Sequence, residues 1–410
     1  MNNYIIEGFN DIHFEELSGY DNVMEIIKKL MRSYGYKQIL TPSFESYDMY
    51  SIDGALPREK MFKLIDNTGK VLVLRPDVTI PITRMAATGY KDQDEILKLA
   101  YITTIFRDFS SKTNFRKEFM QAGVEYFGNN MPDCDAEIIA LAINILLSLG
   151  FNSIHIDIGQ VAFLNAIFNE TSIENNEKEK ILSYIEHKNI GDLRLYLSSL
   201  DITNEITSVI CSIPMLFGKY EETILKAKKL CINDTMRDAI KNIEETYKIL
   251  KNYGFEDYIY VDLGFTNQLN YYSGLIFKGY VNTVGEVVLS GGRYDKLSKT
   301  FGVDRPASGF GINISSIIDI INKSLSFENY FDLLLLYNEK ELSTATDICT
   351  KLRSSGFSVN CISNSNQNNI NKFNYKSVAC LNNDNLICML DNKEIQVTIT
   401  ELIQLLKGVK

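Results

Sequence analysis

Three segments of the sequence combine charged, glycine and aromatic residues within otherwise apolar stretches. They cover residues 74–79, 106–125 and 270–295. Polar groups inside apolar strands need partners, because burying an unsatisfied polar group costs free energy. We therefore treat the three segments as candidate binding surfaces and ask what each can hold.

The first segment is the end of a predicted strand. Pro76 breaks this strand after Arg75 and leaves the carboxylate of Asp77 and the hydroxyl of Thr79 at its end. The carboxylate can accept hydrogen bonds from a ligand, and the hydroxyl can both donate and accept them. The structural alternative is an ion pair between Arg75 and Asp77 within the turn.

The second segment contains a predicted strand over 119–127. Gln121, Gly123 and Glu125 share one face of it, because side chains along a strand alternate with period two. The glycine is expected to leave an open gap between an amide and a carboxylate, which suits a ligand ammonium. Alternatively, Glu125 is an ordinary charge on an edge strand.

The third segment pairs tyrosines with glycines. Tyr271 and Tyr272 lie in 270–274, and a glycine pair opens 291–295. Glycines permit close backbone approach, and tyrosines supply apolar walls with polar tips. The alternative is that these tyrosines belong to the core.

Hydrophobic periodicity predicts the elements that position these segments. Closely spaced strands with few crossover helices between them favour a mostly antiparallel sheet flanked by helices. The predicted helices are 18–34 and 136–149, the strands are 38–40, 71–74, 97–106, 119–127, 154–158, 258–263, 270–280 and 286–289, and 309–321 is a strand followed by a helix.

Two further regions differ from this pattern. Residues 169–251 are helical, charged and poor in strands, which predicts a helical insertion. After residue 329 strands and helices alternate again, which predicts a small α/β domain. We expect a first domain over 1–325, with the insertion at about 169–251, and a second domain over 331–410.

Composition excludes several classes of protein. A chain of 410 residues with a net charge of −10 lacks the clustered cations that nucleic acids require. The N-terminus does not resemble a secretory signal, and no apolar run reaches the roughly 20 residues of a membrane-spanning helix. Seven cysteines without a CxxC pair indicate free thiols in a reducing cytoplasm. We expect no metal site and no cofactor.

In order and spacing, the motifs resemble the histidyl-tRNA synthetase family over about the first 320 residues. The resemblance implies the α+β fold of class II aminoacyl-tRNA synthetases, with flanking helices on an antiparallel sheet that dimerises, and a pocket for histidine. The motifs lie at 7–11, 34–45, 75–79, 106–125, 271–272 and 291–295. The resemblance assigns histidine binding to Asp77, Thr79, Arg107, Gln121, Glu125, Tyr271 and Tyr272.

The family pattern is incomplete where ATP would bind. Its charged positions are occupied by Phe109, Phe115, Asn267 and Ser316, and Arg116 is the one nearby candidate substitute. Adenylate formation concentrates negative charge, and losing one fixed donor aimed at such charge typically costs about 2.7–4 kcal/mol. Loss of several donors should silence the reaction. Asp77 also stands where the synthetases more often have glutamate.

A chain with an amino-acid pocket but without these cations is similar to the regulatory subunits of ATP phosphoribosyltransferase. Residues 213–218 and 304–310 also look like that subfamily. The resemblance implies a non-catalytic subunit required by a short catalytic subunit, a hetero-oligomer of the two, and feedback inhibition by histidine in the first step of histidine biosynthesis. The alternatives are an active histidyl-tRNA synthetase with a divergent ATP site and a stand-alone amino-acid-binding or dimerisation module.

The second domain resembles the anticodon-binding domain of the synthetases. Its residues 331–410 hold eight acidic and eight basic side chains. This balance provides no net attraction for RNA. We therefore expect neither nucleic acid nor membrane among the partners.

Overall fold

The computed structural model describes two compact units, residues 1–320 and 321–410. Within them it describes residue 4 and residues 6–51, 56–90, 95–108, 116–265, 271–281, 285–322, 331–365, 375–383, 385–390 and 393–408.

The first unit is built from a large sheet, a small sheet and helices. Its strands are β1 (Lys37–Gln38), β2 (Phe44–Ser46), β3 (Lys63–Ile65), β4 (Val71–Leu74), β5 (Leu97–Phe106), β6 (Glu118–Phe127), β7 (Ile154–Gln160), β8 (Phe217–Lys219), β9 (Ile259–Asp262), β10 (Leu275–Val281), β11 (Leu289–Arg293) and β12 (Ala307–Asn313). Its helices are α1 (Phe14–Ser33), α2 (Thr79–Gly89), α3 (Pro132–Ser148), α4 (Val161–Phe168), α5 (Asn175–Glu186), α6 (Ile190–Leu197), α7 (Asn204–Ser212), α8 (Tyr220–Lys229) and α9 (Asp234–Asn252), and α10 (Ile314–Asn322) crosses the boundary between the units.

The large sheet has nine strands in the order β1-β5-β6-β12-β11-β10-β7-β9-β8. The β1–β5 and β7–β9 pairs are parallel and the other pairs are antiparallel. The predicted mostly antiparallel sheet is therefore confirmed. Strands β2, β4 and β3 form the separate small sheet, which leads directly into α2.

The first predicted helix is confirmed and begins earlier than expected, at Phe14. It ends at Ser33, and Gly35 follows with φ +83°, a left-handed conformation that glycine adopts without strain. Helix α3 is the apolar helix predicted from 136, and buried side chains occupy most of its length.

The predicted strand at 286–289 is wrong in its extent. The strand begins only at Leu289 and continues through Gly291 to Arg293. The close backbone approach expected at these glycines is present, because a Cβ atom at Gly291 would collide with the Gly309 carbonyl and the Phe310 side chain. They therefore permit close packing of neighbouring strands. The strand predicted from 270 likewise starts only at Leu275.

Residues 169–251 form helices α5–α9 and the short strand β8. These helices share one apolar core with α4, which includes Ile181, Leu193, Ile210 and Ile240. Strand β8 pairs with β9 and attaches this helical region to the edge of the large sheet.

The second unit is a five-stranded mixed sheet with helices. It contains β13 (Phe331–Tyr337), α11 (Leu342–Ser354), β14 (Val359–Ser363), β15 (Tyr375–Asn382), β16 (Asn385–Leu390), β17 (Lys393–Gln396) and α12 (Ile399–Gly408). The strand order is β14-β13-β15-β16-β17. Among the described helices of both units, none combines the length and the apolar character needed to cross a membrane.

Candidate functional site

Four segments of the first unit bring the candidate residues together. Strand β6 carries Gln121 and Glu125, and the turn from β4 into α2 carries Asp77 and Thr79. Arg107 follows β5, and the two tyrosines at 271–272 precede β10. Direct hydrogen bonds and electrostatic contacts link the members of this group.

Glu125 is the centre of the site and is only 1% exposed. Its Oε1 accepts a hydrogen bond from the Thr79 hydroxyl at 2.8 Å, and its Oε2 accepts one from the Tyr294 hydroxyl. Burial raises the pKa of Glu125 to about 8, and the charge of nearby Asp77 contributes to the rise. Strand β6 lies between β5 and β12, so the edge-strand alternative for Glu125 is wrong.

Asp77 is a second buried carboxyl group, 3% exposed. Its Oδ1 accepts a hydrogen bond from the backbone amide of Ile80 at 3.0 Å, in the first turn of α2. Its Oδ2 is buried without a hydrogen-bond partner in the part of the chain that the structure describes. Burial raises the pKa of Asp77, while the Ile80 amide and the positive charge of Arg107 oppose the rise.

Arg75 and Asp77, both described by the structure, do not form the ion pair considered as the structural alternative. Arg75 is buried and donates instead to the backbone carbonyls of Thr41 at 2.7 Å and Thr104 at 2.9 Å. Arg75 therefore fixes the backbone around the site and does not pair with the Asp77 carboxylate.

The gap expected above Gly123 is not open. Tyr101 of β5 pairs with Gly123 across the strands, and its phenol ring fills the space that a side chain would need. The Tyr101 hydroxyl donates to Gln121 Oε1 at 3.1 Å. The glycine therefore makes room for a tyrosine that orients Gln121, and the amide and the phenol lie together on this face of β6.

Tyrosine rings form the wall opposite β6. The centroids of Tyr271 and Tyr272 are 4.9 Å apart, and that of Tyr294 lies 5.7 Å and 6.5 Å from them. Burial raises the pKa of Tyr271 well above 10, and a hydrogen bond with Thr79 only partly opposes this. All three phenols are therefore neutral and can donate hydrogen bonds.

Arg107 follows the end of β5 and lies beside the turn that carries Asp77. Its Nε donates to the Pro76 carbonyl, and its positive charge partly opposes the rise in pKa that burial causes at Asp77 and Tyr272. The guanidinium therefore lies next to the pocket. It can attract the carboxylate of a bound amino acid.

Among the four positions where the family resemblance expects a charge, the structure describes Ser316, which donates to Glu286 at 3.2 Å. The nearby Arg116 is engaged elsewhere, since its guanidinium bonds Tyr20 of α1 and Asp319 of α10, each at 2.8 Å. Phe109, Phe115 and Asn267 lie outside the described residues.

Tyr101 and Tyr294 belong to the site but are not among the residues that the motifs predict. Tyr294 belongs to the glycine-rich motif at 291–295, and this membership was the available signal. Tyr101 carried no such signal, because its position above Gly123 depends on the register of the β5–β6 pair. Both residues contact side chains on the face of β6 that carries Gln121 and Glu125.

Comparison with known proteins first defines the class. The family model described as histidyl-tRNA synthetase matches residues 8–317. A histidyl-tRNA synthetase from Nostoc sp. PCC 7120 has a TM-score of 0.83 at 19% identity, covering 100% of this chain and 99% of that one. At this identity the likeness shows the fold alone, which is the class II synthetase fold with a separate C-terminal sheet domain.

Closer relatives then define the family. The ATP phosphoribosyltransferase regulatory subunit of Clostridium acetobutylicum is 37% identical, over 87% of this chain and 88% of the relative. That of Acetivibrio thermocellus is 39% identical, over 87% and 86%. A Bacillus halodurans structure named ATP phosphoribosyltransferase regulatory subunit/histidyl-tRNA synthetase is 28% identical, covers 92% of this chain and 97% of that one, and has a TM-score of 0.83. The chain belongs to the ATP phosphoribosyltransferase regulatory subunit family.

Proposed function

We propose that this chain is a non-catalytic regulatory subunit that binds L-histidine between Asp77 and Glu125. It supports a short catalytic ATP phosphoribosyltransferase subunit and mediates feedback inhibition of that subunit in the first step of histidine biosynthesis. The observation that carries the histidine assignment is the buried Oδ2 of Asp77, which has no partner in the described residues. A buried acceptor without a donor is costly, so a ligand that donates to it gains binding energy.

Two neighbouring buried carboxyl groups favour an amino acid with a second nitrogen donor. The charge of Asp77 raises the pKa of Glu125, so a cation between them relieves this repulsion. An ammonium at one carboxyl and an imidazole N–H at the other satisfy both groups. A ligand with an apolar side chain leaves one carboxyl unsatisfied, which is a strong basis for rejection.

The remaining site residues complete the pocket. We assign the ligand carboxylate to Arg107, whose charge already acts on Asp77. Thr79 and Gln121 contribute hydrogen-bonding groups, and Tyr271 and Tyr272 form the wall.

We infer that the chain does not form an aminoacyl adenylate. Catalysis of that step depends on preorganised cations around the phosphates. Ser316 supplies none, and Arg116 is held by Tyr20 and Asp319. Histidine binding without this chemistry suits a sensor. Feedback through a sensor requires that histidine bind two states of the assembly with different affinity.

We extend the proposal to the partners. The subunit pairs with a second copy through its class II core and assembles with the catalytic subunit in the cytoplasm. The support is the name that the relatives carry, which refers to a regulatory subunit of a transferase. A net charge of −10 disfavours nucleic acid as a further partner.

Thermal melting with histidine tests the pocket. A ligand at about 100 times its dissociation constant adds roughly 2.7 kcal/mol to the stability of the native state. Thr79→Val removes the hydroxyl that donates to Glu125, and we expect it to abolish the shift. Thr83→Val is the matched control, because its hydroxyl bonds only the Thr79 carbonyl one turn earlier in α2. A full histidine shift in Thr79→Val would contradict the assigned pocket.

The alternative is an active histidyl-tRNA synthetase with a divergent ATP site. The retained pocket and Arg107 would also be present in such an enzyme. Histidine-dependent exchange of pyrophosphate into ATP separates the two functions. We expect no exchange from the wild-type chain. Clear exchange would replace the regulatory proposal by the synthetase alternative.

A further inference from the structure

Arg293, the last residue of β11, is a buried cation outside the set of proposed site residues. It is 5% exposed, and its guanidinium bonds both oxygens of Asp135, in the first turn of α3, at 2.9 and 3.0 Å. Its Nη1 also donates to Asp295 at 3.1 Å and to the backbone carbonyl of Asn129 at 3.0 Å. The arginine therefore joins β11 to α3 and to the turn that follows β11.

Burial of the pair between Arg293 and Asp135 adds little to stability by itself. The loss of hydration of both charges offsets their attraction, and well-packed apolar side chains of similar volume are often equally stabilising. What an arginine–carboxylate pair adds is a fixed geometry, because two parallel hydrogen bonds hold the planar guanidinium. The neighbours whose position the pair fixes therefore indicate its role.

The Arg293 side chain lies on the opposite face of the large sheet from Glu125. Gly292 pairs with Gly309, and Gly309 pairs with Glu125, so these three residues share one face. Side chains alternate along a strand, so Arg293 points to the other face, where it meets Asp135 of α3. Arg293 therefore influences the amino-acid pocket only through its neighbours.

The segment that carries the tyrosine wall is one of these neighbours. The Arg293 carbonyl accepts a hydrogen bond at 2.8 Å from the backbone amide of Ser273, the residue directly after Tyr272. The backbone amide of Asp295 donates to the Ser273 hydroxyl at 3.0 Å. Ser273 is thus bonded to the residues on both sides of Tyr294.

Tyr294 connects this arrangement to the pocket. Its backbone amide donates to the Ala307 carbonyl at 2.8 Å, and its hydroxyl donates to Glu125. Its ring packs on Tyr271 and Tyr272. A shift of the backbone at Tyr294 would therefore withdraw a hydrogen-bond donor from Glu125.

We propose that Arg293 is a positioning residue of the amino-acid pocket and acts through the hydroxyl of Tyr294. The inference rests on the proposed binding of histidine in that pocket. Asp135 anchors the guanidinium on α3, and the fixed end of β11 then aims the Tyr294 hydroxyl at Glu125. A lysine at 293 keeps the positive charge but lacks the planar fork that bonds both oxygens of Asp135.

Isothermal titration calorimetry with L-histidine on the full chain tests the proposal. We expect Arg293→Lys to weaken histidine binding at least tenfold. In a Tyr294→Phe background the same change should weaken binding less than threefold, because the hydroxyl through which Arg293 acts is already absent. Equal losses in the two backgrounds would overturn the proposal, because they would show that Arg293 acts independently of Tyr294.

Ser273→Ala provides a second variant that leaves the buried charges in place. It removes the hydroxyl that accepts from Asp295, and it should weaken histidine binding at least threefold. Urea unfolding of every variant separates stability from affinity. If Arg293 had only a structural role, Arg293→Lys would unfold at lower urea and would bind histidine with wild-type affinity while folded. That result, or wild-type affinity in Ser273→Ala, would overturn the proposal.

Glu137→Gln is the matched control. Glu137 also lies in α3 and pairs with a cation of the large sheet, because Lys98 of β5 bonds both of its oxygens at 2.7 Å. This variant should keep histidine affinity within twofold. The wild-type titration separates the two levels of the account. Absence of histidine binding by the wild type would contradict the proposed function itself, whereas wild-type binding that Arg293→Lys leaves unchanged would contradict only the role of Arg293.

Discussion

The carboxylate of Glu125 lies directly over the α-carbon of Gly309 on the adjacent strand β12. A Cβ atom at position 309 would collide with Glu125 Oε2, the oxygen that accepts from Tyr294. The Glu125 side chain is buried and also accepts a hydrogen bond from Thr79, so it cannot move aside without losing these contacts. The observed position of Glu125 therefore requires a glycine at position 309.

Gly309→Ala should displace Glu125 and abolish the histidine shift. Overpacking of this kind typically costs about 1–3 kcal/mol, so the free energy of unfolding in urea should also fall. Gly89→Ala is the control, because a Cβ atom there meets nothing within 4 Å. If Gly309→Ala kept the wild-type histidine shift, Glu125 would not be part of the binding surface.

Asp77→Asn removes the charge of the side chain and nearly preserves its size and shape. The variant keeps an acceptor for the Ile80 amide but removes the buried negative charge. We expect histidine affinity to fall at least tenfold in calorimetry. The free chain should be as stable as the wild type or more stable, because burial raises the pKa of Asp77 and so opposes its charged form. Unchanged affinity would remove Asp77 from the site.

The pKa of Glu125 predicts a pH dependence of stability. Burial raises this pKa from 4.5 to about 8, so the folded chain retains a proton that the unfolded chain has already released. The stabilisation is fully present below the unfolded value and is lost as pH rises to about 8. Urea unfolding between pH 5 and pH 8 should show this decline in the wild type. Glu125→Gln should show a smaller decline, and identical profiles would contradict the assigned pKa shift.

Arg116→Gln tests whether Arg116 belongs to the proposed histidine site. Its guanidinium contacts Tyr20 and Asp319, so the histidine shift should persist. Partly exposed ion pairs contribute little, and the loss of stability should stay within about 1 kcal/mol. Melting with and without histidine measures both effects. A lost shift in a folded variant would place Arg116 in the pocket.

The sharing of one face of β6 by the candidate site residues could be predicted because alternation is a local property. Gln121, Gly123 and Glu125 share one face in any strand, whatever its neighbours. The pairing of Tyr101 with Gly123 could not be predicted, since it depends on the register between two strands. The neighbour of a glycine in a sheet is set by the fold, and here it converts an expected gap into a hydrogen-bonded phenol.

Strand β11 shows the same limit. The sequence predicts a strand over 286–289 and, at Gly291 and Gly292, a close approach of the backbone. In the sheet they lie opposite Phe310 and Gly309, where side chains would collide with the neighbouring strand. Local propensity therefore misplaced the strand, whereas the motif around Tyr294 was recognisable from its residue types.

The central claim is tested most directly by mixing the purified chain with a short-form catalytic ATP phosphoribosyltransferase subunit. ATP-dependent phosphoribosyl transfer is measured for each protein alone, for the mixture, and for the mixture with histidine. We expect activity to rise on mixing and to fall when histidine is added. Asp77→Asn should retain the activation and lose the inhibition by histidine. No activation by the wild-type chain would contradict the account.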